Sequence, residues 1–140
     1  MITFNYENDF ALENEVVYQD WISKIITSEG FTEGEINYIF CDDEYLLNIN
    51  VEYLNHDTYT DIISFDYTVG NLVQGDIFIS TERVAENALN YNVSFEEELK
   101  RVLSHGILHY CGFKDKTNQD AKLMRQKEDE KIAMFHVEQQ

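Results

Sequence analysis

The stretch Ser104–Lys116 reads SHGILHYCGFKDK, and it places two histidines four residues apart, ahead of a glycine and an aspartate. Residues four apart on a helix project from the same face, so His105 and His109 can reach one metal ion. Gly112 can adopt a positive φ and end that helix. The chain would then turn back and bring Asp115 towards the two imidazoles. The stretch therefore predicts a helix that ends in a metal site.

Two imidazoles and one carboxylate would leave one position of a tetrahedral zinc open, which is typical of catalytic sites rather than structural ones. We therefore predict one Zn²⁺ per chain, bound by His105, His109 and Asp115. Cys111 lies about 200° around the helix from His109 and is interpreted as a small buried residue, not a fourth ligand. The alternative is two histidines with ordinary hydrogen bonds. That alternative suits a bare HxxxH pair better than a pair followed by Gly112 and an aspartate.

Hydrophobic periodicity and turn residues divide the rest of the chain into strands and helices. Four strands are predicted within residues 2–7, 36–41, 61–67 and 76–80, and five helices over 13–28, 43–54, 81–91, 95–111 and from 117–120 towards 135. The apolar positions of the first helix are Val16, Val17, Ile22, Ile25 and Ile26. This order predicts an α+β fold, with a mixed β-sheet of about four strands packed against about five helices, and one domain over residues 1–140.

Composition limits the classes of protein to which the chain can belong. It has 140 residues, 44% of them hydrophobic, which suits one domain with one core. Two cysteines are too few for a disulfide framework, so a reducing cytoplasm is the expected compartment. No apolar run of about 18 residues exists, and the first residues show no basic region followed by an apolar segment, so neither a membrane span nor a signal peptide is expected.

The charge is distributed unevenly along the chain. The net charge of −17 argues against a nucleic-acid partner. Residues 1–99 carry a net −19, however, whereas residues 100–131 carry a net +3 and bracket the predicted metal site. The second segment is either the solvated surface of two polar helices or an anion-binding face beside the site. Its eight bases are Lys100, Arg101, Lys114, Lys116, Lys122, Arg125, Lys127 and Lys131.

The spacing also resembles the metzincin-type peptidase signature HExxHxxGxxH, with Asp115 in place of the last histidine. That motif uses the glutamate after the first histidine as its general base. This chain has Gly106 there, and glycine cannot accept a proton, so a metallopeptidase is the weaker interpretation. A glycine inside a helix is also costly, which suggests that something needs space beside the histidines.

Three blocks of the sequence resemble the YbeY family of endoribonucleases. The family signature HGxLHxxGxDH is similar to His105–Asp115, its block LNxxYRxxDxxTDVLSF to Ile49–Phe65, and its GDI strand to Gly75–Ile77. The blocks occur in the same order, so the resemblance covers residues 49–115. It implies a metal-dependent endoribonuclease that acts on ribosomal RNA, in maturation of the 16S rRNA 3′ end and in ribosome biogenesis.

Two positions depart from the family pattern. Asp115 stands where the family usually has a third histidine, and a carboxylate is also a good zinc ligand. Leu54 stands where the family has an arginine that the resemblance assigns to RNA cleavage or binding, and leucine cannot pair with phosphate. Either a neighbouring base such as Lys114 or Lys116, both candidate substrate-binding residues, substitutes for that arginine, or the catalytic role is weakened. The alternative from another class is a non-catalytic ribosome-assembly factor. Such a factor would bind a ribosomal protein or an assembly GTPase.

Several other polar residues have an ordinary structural interpretation. Thr60, Asp61 and Ser64 match a family block, but the residue pattern itself favours a structural role. Thr60 and Asp61 would open a strand, and Ser64 would lie on its polar face. Asn50 could orient a loop or satisfy backbone groups. His56 and His136 lack neighbouring ligand residues, and no residue in the sequence is identified as a general base.

Overall fold

The computed structural model describes residues 1–139, with side chains up to Phe135, so His136 lies outside the described side chains. The four strands and five helices confirm the predicted α+β fold. No described helix is both long enough and apolar enough to cross a membrane. The elements are β1 (Ile2–Tyr6), α1 (Glu15–Ser28), β2 (Thr32–Cys41), α2 (Asp43–Leu54), β3 (Ile62–Asp66), β4 (Leu72–Ser80), α3 (Thr81–Tyr91), α4 (Phe95–Tyr110) and α5 (Asn118–Gln139).

The sheet is mixed, as the order of elements predicted. Its strand order is β1-β2-β4-β3, and β2 pairs in parallel with both β1 and β4. β3 pairs antiparallel with β4 and forms one edge of the sheet. An edge strand has one side free of strand partners, and this side of β3 is available to line a site.

The core forms where α1 and α4 pack on the sheet. The apolar stripe of α1 follows helical spacing from Tyr18 through Trp21, Ile22 and the two isoleucines of the next turn, and all of these are buried. Val16, one of the apolar positions named from the sequence, is 65% exposed because it lies two positions before Tyr18, about 200° away from this stripe. The indole Nε1 of Trp21 donates a hydrogen bond to the carbonyl of Lys131 in α5, at 2.7 Å. This bond joins the first helix to the last.

The helix α4 contacts the sheet closely at Gly106. A Cβ added there would lie 3.2 Å from the Cδ1 atoms of both Ile62 and Ile77. The glycine therefore provides space towards β3 and β4, not beside the histidines as the sequence suggested. Its absent side chain lets α4 approach the sheet without displacing two core isoleucines.

The end of α4 has the turn that the sequence predicted. The helix ends at Tyr110, one residue earlier than expected, and Gly112 has a φ of 99°. The amide of Phe113 donates to the carbonyl of Leu108 at 3.0 Å, which closes the turn. The chain reverses here and continues into α5, which packs against α4.

Candidate metal centre and its cavity

The structure brings His105, His109 and Asp115 together at the end of α4. One carboxylate oxygen, Oδ2 of Asp115, lies 3.2 Å from Nε2 of His105 and 3.4 Å from Nε2 of His109. One ligand atom from each residue lies within 4.8 Å of the others, and no other group of three such residues is found within residues 1–135. Two residues on one helical face and a third from the following turn thus converge on one point.

The opposite nitrogen of each imidazole ring is already engaged. Nδ1 of His109 lies 2.9 Å from the carbonyl oxygen of Phe113, which can only accept, so that nitrogen carries the proton. Nδ1 of His105 lies 2.6 Å from Oε2 of Glu128. A proton on each Nδ1 leaves the Nε2 lone pairs directed at Asp115. Metal-binding histidines in proteins usually have this arrangement.

Glu128, which sequence reasoning missed, is buried behind His105. Its second oxygen accepts a hydrogen bond from Nη1 of Arg101 at 3.0 Å, and Nη2 of the same arginine contacts Asp129 at 2.8 Å. Met124 and Ile132, four residues before and after Glu128, are also buried. A carboxylate at the centre of an apolar helical stripe is the sequence signal that could have found this residue.

The pKa values of His105 and Asp61 depart from their ordinary range. Burial lowers the pKa of His105, but the hydrogen bond and charge of Glu128, with the charges of Asp115 and Asp61, outweigh it and raise that pKa. Burial raises the pKa of Asp61, and the charge of His105 only partly opposes this. Protons and a metal would compete for His105, since a metal needs the neutral ring.

The three candidate ligands line a cavity of about 500 Å³ between α4, α5 and the edge strand β3. Thr60, Asp61 and Ser64 line this cavity, although the residue pattern had favoured a structural role for them. The other lining residues are Ile62, Arg101, Val102, His105, His109, Asp115, Ala121, Met124, Arg125 and Glu128.

A second cavity of about 310 Å³ continues the first along β3. The two share Thr60, Ile62 and Ser64, so they form one groove over the sheet edge. Leu54 and His56 line the second cavity. The position where the family has its arginine thus lies in the same groove as the candidate ligands.

The basic segment 100–131 is only partly an exposed basic surface. Four of its eight bases are neutralised or covered by contacts that include residues far away in the sequence. These contacts are Lys100 over the Phe135 ring, Arg101 with Glu128 and Asp129, and both Lys127 and Lys131 with Glu29 and Glu130. An anion-binding face could therefore be formed by the four exposed bases of the segment, which are Lys114, Lys116, Lys122 and Arg125.

The two predicted substrate-binding lysines are exposed on the turn before α5. Lys114 and Lys116 flank Asp115 in the sequence, but neither lines the cavity. Arg125 does line it, and sequence reasoning had counted this residue only as one of the eight bases.

Two further residues have structural roles. Cys111 is half-buried against the core, where burial raises the pKa of its thiol to about 11, and it is not part of the ligand cluster. Asn50 is buried, and its side chain donates to the carbonyl of Thr58 at 2.8 Å. It therefore orients the loop that precedes β3.

The sequence comparisons agree on one family, and a structure comparison finds the same fold. The profile described as "Endoribonuclease YbeY" matches residues 3–136. A protein of that name from Flavobacterium johnsoniae is 74% identical over 139 residues, covering 99% of this chain and 100% of its own length. Another of the same name from Christiangramia forsetii is 67% identical over 138 residues, covering 99% and 96%. A solution structure of a Thermotoga maritima protein has the same fold, with a TM-score of 0.67 and 24% identity over 98% of this chain and 93% of that one.

Proposed function

Because the chain belongs to the YbeY family of endoribonucleases, we propose that it cleaves RNA in the cavity beside His105, His109 and Asp115. The family resemblance assigns ribosomal RNA as its substrate, with maturation of the 16S rRNA 3′ end, and the cytoplasm as its compartment. The observation that carries the proposal is the convergence of the three side chains at the open groove along β3. Residues 1–140 would act as a single metalloprotein domain.

The three side chains fit a zinc ion. Two imidazoles with free Nε2 atoms and one carboxylate form a donor set that suits Zn²⁺, and the cavity leaves room for a further ligand. A zinc ion bound there would supply Lewis-acid chemistry to a phosphoryl oxygen and to water. We therefore propose one zinc per chain.

The protein's own residues hold and shield this centre. The carbonyl of Phe113 and the carboxylate of Glu128 fix the two histidine rings from behind. Asp115 is 41% exposed on the turn, so the centre is accessible from the side where a polynucleotide would arrive. Lys114 and Lys116 extend from the same turn, where they would contact RNA phosphates outside the cavity.

A second candidate function comes from a different class of protein. Leu54 replaces the family arginine, and the chain has a net charge of −17. Both features favour a non-catalytic assembly factor that binds a ribosomal protein or an assembly GTPase. The metallopeptidase alternative has no such support, since Gly106 supplies no base and a Cβ at this position would meet Ile62 and Ile77 of the sheet.

Cleavage of structured RNA by zinc-loaded protein, metal-free protein and His109→Ala tests the proposal. Cleavage by the zinc-loaded wild type alone, with about one zinc per chain by elemental analysis, is the expected result. Cleavage that persists in both controls would come from a contaminating nuclease. RNA binding without metal-dependent cleavage would instead support the assembly factor.

A further inference from the structure

We infer that Arg125 binds an RNA phosphate beside the candidate metal centre and so supplies the cation that is missing at Leu54. This inference rests on the proposed function and adds a substrate-binding residue to it. It follows from the position of Arg125 in the cavity, from its lack of ion-pair or hydrogen-bond partners among the described side chains, and from the charge of the surrounding residues.

Arg125 has a fixed place relative to the ligands. It lines the same cavity as His105, His109 and Asp115. It also lies three residues before Glu128 on α5, so the two project from neighbouring positions of one helical face. Glu128 contacts His105 directly, which places Arg125 on the cavity side of α5.

Arg125 is also free to bind a ligand. Its side chain is exposed and has no ion pair or hydrogen bond among the side chains of residues 1–135. Burial raises the pKa of Glu98, and the charges of Arg101 and Arg125 oppose this rise without reversing it. Arg125 acts on Glu98 without forming an ion pair with it. Arg101, the other arginine of the cavity, is already bound to Glu128 and Asp129.

A cation in addition to the proposed zinc would help this cavity to accept phosphate. Asp61, Asp115 and Glu128 place three carboxylates along its lining. A phosphate entering near these groups would be repelled unless a positive group met it. A guanidinium presents a planar fork of N–H donors that matches two phosphate oxygens, and Arg125 carries the one such fork in the described lining that lacks an ion pair.

The positions of Leu54 and Arg125 explain how one could offset the other. Leu54 lines the second cavity and Arg125 lines the first, and the two cavities share Thr60, Ile62 and Ser64. An arginine at either position would therefore meet a polynucleotide lying in the same groove. The present chain has its cation on α5 rather than on α2.

Equilibrium binding of a single-stranded 2′-O-methyl RNA to zinc-loaded protein tests the inference, with the RNA checked for integrity afterwards. The variants are Arg125→Ala, Arg125→Lys and the control Lys122→Ala. Lys122 is exposed one turn earlier on α5 but does not line the cavity. Zinc content is measured in every variant.

Arg125→Ala should bind about 10- to 100-fold more weakly than wild type, as expected for the loss of a charged hydrogen-bonded contact. Its log–log salt slope should be shallower by about 0.7 for single-stranded RNA. Arg125→Lys should bind with intermediate affinity because it keeps the charge but loses the fork. Lys122→Ala should resemble wild type, and zinc content should stay equal throughout.

Equal binding by Arg125→Ala and Lys122→Ala would overturn the inference, and so would a loss of zinc that accompanies the loss of binding in Arg125→Ala. If wild type cleaves RNA while these two variants bind alike, only the inference fails. If zinc-loaded wild type neither binds nor cleaves RNA, the proposed function fails, and the inference falls with it.

Discussion

Oε2 of Glu128 lies 2.6 Å from Nδ1 of His105, while Arg101 holds the other carboxylate oxygen of Glu128 at 3.0 Å. A carboxylate in this position fixes the orientation of the imidazole and makes its free nitrogen a better metal ligand. The contact also couples α5, which makes no direct ligand contribution, to the ligand pair on α4. Glu128 is therefore a positioning residue of the candidate centre.

Replacing Glu128 with glutamine should weaken zinc binding by about 10- to 100-fold, because the neutral amide supports the imidazole less well. Competition with a chelator of known zinc affinity measures the change. Asp129→Asn is the matched control, since Asp129 also contacts Arg101 but does not touch His105. Equal zinc affinity in the two variants would contradict the positioning role.

The metal-free protein should show an elevated pKa for the His105 ring. Although burial opposes it, Glu128 with the charges of Asp115 and Asp61 raises this pKa above the ordinary 6.5. A raised folded-state pKa contributes stability that is present below the unfolded value and is lost as pH rises through the folded one. The stability advantage of wild type over Glu128→Gln should thus shrink as pH rises beyond 6.5.

NMR titration of the His105 ring checks the assignment of this pH dependence. The pKa of the ring should be lower in Glu128→Gln than in wild type. Zinc affinity of the wild type should begin to fall on acidification at a pH above 6.5, because protons compete for the same ring. An unchanged ring pKa in the variant would assign the shift to other groups.

Asp61→Asn should stabilise the metal-free protein at neutral pH. Burial raises the pKa of Asp61 above 3.8, so the ionised carboxylate lowers stability once pH exceeds the unfolded value. The gain should diminish as pH falls towards 3.8, where both states become protonated. Urea unfolding measures it, with Asp66→Asn, at the exposed last residue of β3, as control. Equal effects of the two substitutions would show that burial of Asp61 does not matter.

Gly106→Glu should unfold the protein rather than create a peptidase. The new side chain would enter the contact with Ile62 and Ile77, where burial of an unpaired polar group costs several kcal/mol. Gly106→Ala is the control, since a gain of about 1 kcal/mol in helix propensity offsets its tight contact. Thermal melts followed by circular dichroism compare them. A folded Gly106→Glu with full zinc content would show that the glycine has been misinterpreted.

Replacing Lys114 and Lys116 together with alanine should weaken RNA binding and make its log–log salt slope shallower. The change in slope per lysine should be smaller than the loss of one full phosphate contact would cause. Both residues are exposed and lie outside the cavity, so their contacts remain hydrated and screened. The same binding assay measures the change. Binding that is insensitive to salt in wild type and variant alike would point to a protein partner.

The convergence of three candidate ligands could be predicted from the sequence because its geometry is local. His105, His109 and Asp115 lie within one helical end and its turn, where residue spacing alone determines which side chains meet. Glu128 and Asp61 could not be placed in this way, since the packing of α5 and β3 against α4 brings them to the cavity. Only the family resemblance gave any indication of the β3 wall.

The basic segment shows the limit of reasoning from charge along a sequence. Lys127 and Lys131 both form ion pairs with Glu29. Glu29 directly follows α1, so it is far from both lysines in the sequence and contacts them only in the folded chain. Arg125 escapes such pairing among the described residues. A count of charges could not separate these cases, because it carries no information on tertiary neighbours.

The hydrogen bond between Trp21 and the Lys131 carbonyl makes the chain its own optical probe. Trp21 is the one tryptophan of the sequence, it is fully buried, and its indole contacts the helix that carries Arg125 and Glu128. Its fluorescence emission therefore reports whether α5 is docked. If α5 detaches before the sheet unfolds, emission should shift to the red ahead of the loss of far-ultraviolet circular dichroism.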